Sequence, residues 1–336
     1  MPVVITLATV YRATQSSAGY VRKTLKQCLD YESDSDSDLE DDTPIINSNP
    51  GQDLPIISGS PSLQAELTTL CIEYSDIFSH NLKPTPANVP PFVINCDLQK
   101  WNHKRNRLPP RVLTPTKQAE IMRQVNDMLN NNVIEKSQAN TYSQVLLVPK
   151  PDKTWRFCVD YRNLNNCCEK GGWPIPNISQ LLARIGALRP RPLIYGKIDL
   201  TKGYFQAPLD PHSARLTAFI TYMGVYQWTR VPMGPTGSAS YFQQMLTTVV
   251  LIGLLYIICE VYLDDILVHA PDEPIFIDRV TTIFQRFRQY NITINPKKCF
   301  LGLSEVEYVG HKISPSGITF TKERLYGISK IPKPEF

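Results

Sequence analysis

Residues 257–270 read IICEVYLDDILVHA, and this stretch decides the fold. Apolar residues lead up to Tyr262, two consecutive aspartates (Asp264 and Asp265) follow, and Ile266 opens a second apolar run. The pattern predicts two buried strands joined by a tight hairpin that carries the aspartates. Asp is common in turns, so a turn role explains one of them. A carboxylate pair in so apolar a run is costly to bury unless a cation or a hydrogen-bond network satisfies it.

A third aspartate occupies a matching position in residues 193–206, LIYGKIDLTKGYFQ. Asp199 ends an alternating strand and shares one face with Tyr195 and Lys197. Carboxylates that converge from different strands suit a two-metal phosphoryl-transfer site, in which the ions lie roughly 3.5–4 Å apart. Magnesium prefers hard oxygen ligands and keeps waters and substrate phosphates, so few protein carboxylates are needed. The convergence of Asp199 with the aspartate pair is a hypothesis at this stage.

Helix and strand signals alternate irregularly along the chain, which predicts a mixed α+β fold. Ser60 is a good N-cap with Pro61 in the first turn of a helix. Further helices are predicted after Thr116 and over residues 178–188, 240–251 and 276–287, and short strands over residues 145–148 and 155–159. No G-x-G-x-x-G or Walker-type loop is present, which excludes the usual dinucleotide-binding and P-loop folds.

The charge of the chain is unevenly distributed. Residues 31–42 hold seven acids and no Lys or Arg, so without them the chain has 35 basic and 24 acidic residues. This basic body favours a polyanionic partner, although a solvated basic surface explains the charge equally well. Residues 1–55 lack sustained hydrophobic periodicity and are predicted to be a disordered acidic segment.

The eight cysteines include no C-x-x-C pair, and no signal peptide opens the chain. We therefore expect reduced thiols and an intracellular, cytoplasmic protein, with a virus-like particle or the nucleus as alternatives. The apolar run at residues 246–259 is shorter than the roughly 20 residues of a membrane-spanning helix. A buried helix end that runs into a buried strand is the expected structure there, with no membrane association.

Eight blocks of the sequence follow one another in a recognisable order. They are VLLVPKPDKTWRFCVDYRNLN, WPIP, DLTKGYFQ, TAF, VPMGPTGSASYFQ, VYLDDILV, NPKKC and EYVGHKIS. In this order they resemble the reverse transcriptases of gypsy-type LTR retrotransposons and their retroviral relatives, from about Leu67 to about Pro334. A lone Y-x-D-D would be a weak signal, whereas eight ordered blocks are specific.

The resemblance implies a right-hand polymerase fold, in which a palm with an antiparallel sheet backed by helices adjoins a fingers subdomain. A helix and an extended lead-in arm (residues 56–112) would precede a reverse transcriptase domain (residues 113–336). The thumb would be largely missing, because the chain stops where a thumb would start. Within the domain the expected parts are fingers at about 113–190 and 212–232, palm at about 191–211 and 233–318, and the start of a thumb at 319–336.

By the same resemblance, Asp199 and Asp264 would be the main metal ligands and Asp265 the third member of the catalytic cluster. Leu200 would add its backbone carbonyl. Two Mg²⁺ ions are implied, and Mn²⁺ could substitute. The primer grip, a hairpin that holds the 3′ end of the primer, would consist of Tyr308, Val309, Gly310 and His311.

The nucleotide site is implied in the same way. Lys150 and Arg156 would bind the triphosphate, since an ammonium and a guanidinium suit phosphate oxygens; a solvated lysine and a salt bridge to Asp160 are the ordinary alternatives. Tyr204 stands where the family has an aromatic residue that excludes the ribose 2′-hydroxyl. The remaining members are Leu200, Met233, Gly234 and Lys298.

The implied function is RNA-directed DNA polymerase, with dNTPs and a primed RNA or DNA template as partners. Weak, distributive synthesis, or none, is expected without a thumb. An RNA-dependent RNA polymerase is an alternative against which Tyr204 speaks. A non-catalytic nucleic-acid-binding relic of the fold is the second alternative, and the oligomeric state is open.

Overall fold

The computed structural model describes residues 54–150, 153–169 and 172–330. The acidic segment predicted to be disordered lies outside these ranges, apart from its last two residues. In the described part of the chain no helix is both long and apolar enough to span a membrane. The helices are α1 (Pro61–Glu73), α2 (Leu98–Trp101), α3 (Pro115–Asn130), α4 (Arg162–Asn165), α5 (Ile178–Ala187), α6 (Gly203–Gln206), α7 (Pro211–Ala214), α8 (Ser238–Met245), α9 (Glu273–Gln289) and α10 (Lys322–Ser329).

Thirteen strands in the described ranges form three sheets. The strands are β1 (Ile56–Ile57), β2 (Ile134–Lys136), β3 (Ser143–Pro149), β4 (Trp155–Asp160), β5 (Ile194–Asp199), β6 (Phe219–Thr221), β7 (Gly224–Trp228), β8 (Cys259–Tyr262), β9 (Asp265–Ala270), β10 (Phe300–Leu303), β11 (Val306–Tyr308), β12 (His311–Ser314) and β13 (Gly317–Phe320). The mixture of helices with largely antiparallel sheets confirms the predicted α+β class.

The first sheet has the strand order β1-β10-β5-β9-β8 and corresponds to the predicted palm. All its pairings are antiparallel except that of β1 with β10. Helices α1 and α9 pack together beside it, and Phe284 of α9 contacts Tyr74 and Phe78 at ring-centroid distances of 5.8 and 5.4 Å. The predicted cap of α1 is confirmed, because the Leu63 N–H donates to Ser60 Oγ at 3.1 Å. The lead-in helix therefore belongs to the core of this sheet.

The second sheet, with the order β2-β7-β6-β3-β4, corresponds to the predicted fingers. Strands β3 and β4 form the predicted antiparallel hairpin, with Val148 paired to Arg156; residues 151–152 of its tip lie outside the described ranges. A third sheet, β11-β12-β13, packs near α5. The small core between them includes Leu181 and Tyr308, both fully buried.

Residues 246–259 contain the predicted buried helix end and the start of the predicted buried strand, but the two are not directly joined. Helix α8 ends at Met245, a π-helical turn follows at Leu246–Val250, and β8 begins only at Cys259. Between them Ile252, Tyr256 and Ile257 are each more than half exposed. The chain turns at Gly253 (φ 78°) and Tyr256 (φ 66°), which breaks the helix and points these side chains outward.

Candidate active site

The pairing register of the palm sheet places two of the predicted aspartates side by side. Strand β5 runs antiparallel to β9, and Asp199 is the direct partner of Asp265. Directly opposed residues in such a ladder have Cα atoms about 4.5–5.5 Å apart. Leu263 and Asp264 form the two-residue turn between β8 and β9, and Asp265 is the first residue of β9. The hairpin predicted from the aspartate pair is therefore present, and the end of β5 lies beside it.

The aspartate turn is fixed by a residue that the sequence analysis missed. Leu263 has φ 53°, a strained value for a leucine, and its N–H donates to Gln243 Oε1 at 2.7 Å. Gln243 Nε2 in turn donates to the Val261 carbonyl at 3.4 Å. Gln243 is 0% exposed on α8, so its amide is buried against the turn. The sequence did contain one signal for this role, because Gln243 lies on the apolar face of a predicted helix.

A second buried glutamine fixes the chain after Asp199. Gln206 Nε2 donates to the carbonyls of Thr201 and Thr293, both at 2.8 Å, and its Oε1 accepts from the Thr293 N–H at 2.7 Å. The Asp199 carbonyl accepts from the Asn295 N–H at 3.0 Å. These bonds join the end of β5 to the segment that leads into β10. They hold Asp199 and the backbone of Leu200 in place.

The carboxylates are buried and close enough to affect one another. Asp199 is 2% exposed and Asp264 is 6% exposed. Burial raises the pKa of Asp199 to about 7; Lys298 opposes this rise, whereas Asp264 and Asp265 add to it. Burial also raises the pKa of Asp265, and the Lys197 ammonium opposes that rise. Lys298 therefore lies within electrostatic reach of the aspartates, while its role at the nucleotide phosphates stays a prediction.

Asp265 has a cationic neighbour in the next strand. Lys197 Nζ lies 3.1 Å from Asp265 Oδ1. The contact is an ion pair whose angle falls outside hydrogen-bond geometry, so this buried oxygen has no hydrogen-bond donor. Lys197 and Asp199 alternate along β5 and thus share one face of the sheet. Lys197 and Lys298 therefore compensate part of the charge of Asp199 and Asp265.

The residues present suit a hard divalent cation, but they do not form a ready-made cage. Carboxylate and carbonyl oxygens are the ligands that Mg²⁺ prefers, and the buried Asp265 oxygen without a donor is available to one. In the described residues no three His, Cys, Asp or Glu side chains are grouped closely enough to hold a metal ion. The register joins Asp199 and Asp265, while ligation by all three aspartates together with Leu200 stays a prediction.

Tyr204 lies next to the aspartates. Its half-buried ring stacks on Phe242 at 4.7 Å between centroids, with 19° between the planes. The preceding residue, Gly203, leaves little room: a Cβ there would lie 3.2 Å from Phe242 and 3.4 Å from the Asp264 Cβ. The close approach of the two segments explains the glycine, and it places Tyr204 at the edge of the site.

The other predicted nucleotide-binding residues lie on two separate segments. Met233 and Gly234 are exposed in the loop before α8, where Gly234 has φ 102° and its carbonyl accepts from Asn165 Nδ2 at 2.9 Å. Lys150 and Arg156 lie on the β3–β4 hairpin of the other sheet. Asp160, the competing partner considered for Arg156, forms ion pairs with Arg111 at 3.2 Å and Arg162 at 2.6 Å.

The hairpin predicted to be the primer grip is tight and is hydrogen-bonded to β9. Tyr308 pairs with His311, and the two residues between them, Val309 and Gly310, have φ 48° and 69°. Positive φ at both central positions is the geometry of a type I′ turn. The buried Tyr308 hydroxyl donates to the Asp265 carbonyl at 3.3 Å. Movement of this hairpin would therefore reach the aspartate strand directly.

Comparison with known proteins agrees with this geometry. The family model described as "Reverse transcriptase (RNA-dependent DNA polymerase)" matches residues 148–313. The retrovirus-related Pol polyprotein from transposon 412 of Drosophila melanogaster is 30% identical over 280 residues, covering 81% of this chain and 22% of the relative. The Tf2-3 polyprotein of Schizosaccharomyces pombe is 28% identical over 278 residues, which cover 81% of this chain and 20% of that relative. The chain thus spans about a fifth of the length of these relatives.

Solved structures show the same fold. A foamy viral protease-reverse transcriptase in complex with dsDNA aligns with a TM-score of 0.68 and 23% identity, over 82% of this chain and 56% of that one. A foamy viral protease-reverse transcriptase in complex with an RNA/DNA hybrid aligns with a TM-score of 0.66 and 22% identity, over 82% of this chain and 36% of that one. The right-hand polymerase fold expected from the sequence is confirmed. Residues 148–313 therefore form a domain of the reverse transcriptase family, and the chain is similar to part of the Pol polyproteins of retrotransposons.

Proposed function

We propose that this chain catalyses template-directed DNA synthesis, in which a dNMP is transferred to the 3′-hydroxyl of a primer on an RNA or DNA template. The observation that carries the proposal is the register of β5 and β9, because it pairs Asp199 with Asp265 next to the Asp264 turn. Foamy viral relatives of the same fold were solved with dsDNA and with an RNA/DNA hybrid, which supports a primed template as the partner.

The proposed mechanism uses the aspartates as a site for divalent cations. Mg²⁺, or Mn²⁺ in its place, would supply activation of the primer hydroxyl and charge stabilisation of the leaving pyrophosphate. Asp199 and Asp264 would be its main ligands, with Asp265 and the Leu200 carbonyl completing the set. Lys298 would place a further positive charge beside the phosphates, since its influence already extends to Asp199.

The choice of dNTP over rNTP rests on Tyr204. Its ring is held by the stack on Phe242, so it forms a firm wall at the edge of the site. A ribose 2′-hydroxyl is the group that such a wall would exclude, and it is the group that separates RNA from DNA building blocks. Lys150 and Arg156 would bind the triphosphate from the hairpin of the fingers, and Met233 and Gly234 would flank the base from the loop before α8.

We assign the palm to the sheet β1-β10-β5-β9-β8 and the fingers to the sheet β2-β7-β6-β3-β4. The hairpin Tyr308–His311 is the proposed primer grip. Its hydrogen bond to the Asp265 carbonyl would couple the position of the primer end to that of the aspartate strand. This division follows the sheets, and it moves α1 from the lead-in arm into the palm.

The test is primer extension on an RNA template, with Mg²⁺ and then Mn²⁺, in the wild type and in Asp199→Asn. Asp278→Asn is the matched control, because Asp278 is exposed on α9. We expect extension by the wild type and the control with dNTPs, and none by Asp199→Asn. Equal extension by all three proteins would exclude the proposed site. Metal-independent binding of primer-template without extension in any protein would identify a nucleic-acid-binding relic instead.

A further inference from the structure

Two cysteines outside the proposed active site face each other across an isolated antiparallel bridge. Cys96, in the arm before α2, is paired with Cys168, in the segment after α4. The flanking hydrogen bonds run from the Asp97 N–H to the Cys167 carbonyl at 2.8 Å and from the Glu169 N–H to the Asn95 carbonyl at 3.0 Å. Cys96 and Cys168 are therefore a non-hydrogen-bonded pair.

This geometry is compatible with a disulfide. Cα atoms of non-hydrogen-bonded antiparallel partners lie about 4.5 Å apart. Disulfides accept Cα separations of about 4.4–6.8 Å, so the backbone needs no rearrangement to join these residues. The neighbouring Cys167 is an inferior partner, because it is buried and its thiol donates to the Asn163 carbonyl at 3.2 Å.

The two thiols are neighbours and can be reached from solvent. Directly opposed residues of an antiparallel pair carry their side chains on the same side, with Cβ atoms about 4.5–5.5 Å apart. Burial raises the pKa of both thiols, to about 12 for Cys96, and Cys96 opposes the rise at Cys168. Both residues are half-buried, whereas Cys71, Cys259 and Cys299 are buried. Cys168 lines an open groove, so it is the thiol that we expect a small oxidant to reach first.

We propose that Cys96 and Cys168 form a disulfide site in the folded protein, oxidised by a low-molecular-weight disulfide such as oxidised glutathione. The Cys168 thiolate attacks one sulfur of that disulfide, breaks its S–S bond and releases one glutathione thiolate. The Cys96 thiolate then attacks the Cys168 sulfur of the mixed disulfide and releases the second glutathione. Two protein thiols and one oxidised glutathione thus become one protein disulfide and two reduced glutathiones.

The bond would fasten the arm before α2 to the segment after α4. A groove of about 400 Å³ is lined by both of these segments and by α8, including Ile94, Cys168 and Ser240. Helix α2 begins two residues beyond Cys96 and is followed by the exposed residues Lys104 and Arg105. Oxidation would therefore fix one wall of this groove and the start of a basic segment. The inference goes beyond the proposed polymerase function and does not depend on it.

The test begins with the full-length protein and oxidised glutathione. Thiols that remain free are alkylated, and peptides are mapped by mass spectrometry without reduction. We expect a Cys96–Cys168 linked peptide to form first. Cys158, a half-buried cysteine whose partner in the sheet is Leu146, should remain a free thiol and be recovered in alkylated form. Separate alkylation of Cys96 and Cys168 after oxidation, or a link from either of them to Cys167, would overturn the proposal.

Thermal unfolding provides a second measurement. A disulfide closes a long loop of the unfolded chain and thereby stabilises the folded state. Oxidation should therefore raise the midpoint temperature of unfolding, and dithiothreitol should return it to the value of the reduced protein. Cys158→Ser should respond as the wild type does, and Cys96→Ser and Cys168→Ser should not respond. An unchanged wild-type midpoint, despite a mapped Cys96–Cys168 bond, would show that the bond forms outside the native state and would also overturn the proposal. Because the peptide map uses the wild type, a variant that fails to fold leaves the test intact.

Discussion

Replacement of Gln243 by leucine tests whether one buried amide holds the aspartate turn. In the wild type this amide accepts from the Leu263 N–H at 2.7 Å and donates to the Val261 carbonyl at 3.4 Å. Leucine keeps most of the volume but leaves both backbone groups without this partner. A buried polar group that loses its partner costs about 1–3 kcal/mol.

The shorter bond should account for most of the effect, because a contact of 3.4 Å is weak. We therefore expect Gln243→Leu to lower the free energy of unfolding by about 2–3 kcal/mol. The larger effect should be on catalysis. Leu263 would relax from its strained φ of 53° and move the adjacent Asp264, and a displacement of about 1 Å can cost roughly a hundredfold in rate.

The assay compares urea unfolding and single-turnover primer extension in the wild type, Gln243→Leu and Gln244→Leu. Gln244 is the matched control, because it is the next residue of the same helix and is exposed. Gln244→Leu should match the wild type in both measurements, and a folded Gln243→Leu should extend primers about a hundredfold more slowly. If the two variants behave alike, the amide does not position the turn.

Three further outcomes are expected. Because burial raises the pKa of Asp199 to about 7, above the value near 3.9 of an unfolded chain, the folded state binds a proton that the unfolded state releases. In EDTA the free energy of unfolding should therefore fall as the pH rises from about 4 to 7, and Asp199→Asn should flatten this slope. Arg184→Met should lower the free energy of unfolding in urea by about 2–3 kcal/mol, because its ion-pair partner Glu260 is 2% exposed and would lose its counter-charge. The loss should stay below that for a fully buried pair, since the Arg184 side chain is 39% exposed. The double variant with Glu260→Leu should recover most of the loss. Tyr204→Val should raise the incorporation of rNTPs relative to dNTPs at least about tenfold in single-nucleotide extension, and an unchanged ratio would exclude a role for this ring in sugar selection.

The aspartate hairpin was predictable because its signals are local. An apolar run, two acids and a second apolar run specify two strands and a turn within 14 residues of sequence. The alternation of residues 194–199 similarly predicts β5 and the face on which Asp199 lies. The eight blocks then identified the family, and the comparisons confirmed it.

The supports of the site were not predictable, because they are long-range. Gln243 accepts from the Leu263 N–H, 20 residues away, and Gln206 accepts from the Thr293 N–H, 87 residues away. Nothing in the sequence near either glutamine indicates these partners. The exposed loop at residues 252–257 was missed for the opposite reason, since its apolar composition resembles a buried segment while Gly253 and Tyr256 turn the chain outward. The packing of α1 against α9 is also a long-range contact, which no local pattern encodes.

The central position of β5 has a consequence for how the chain is made. This strand is flanked by β9 and β10, and both are synthesised after it. While the ribosome produces the residues in between, β5 has no partner on either side, and unpaired strand edges of this kind favour aggregation. A message truncated between the codons of Ala270 and Phe300 would therefore yield a chain in which β5 pairs with β9 but keeps its other edge open, a substrate for chaperones and proteases.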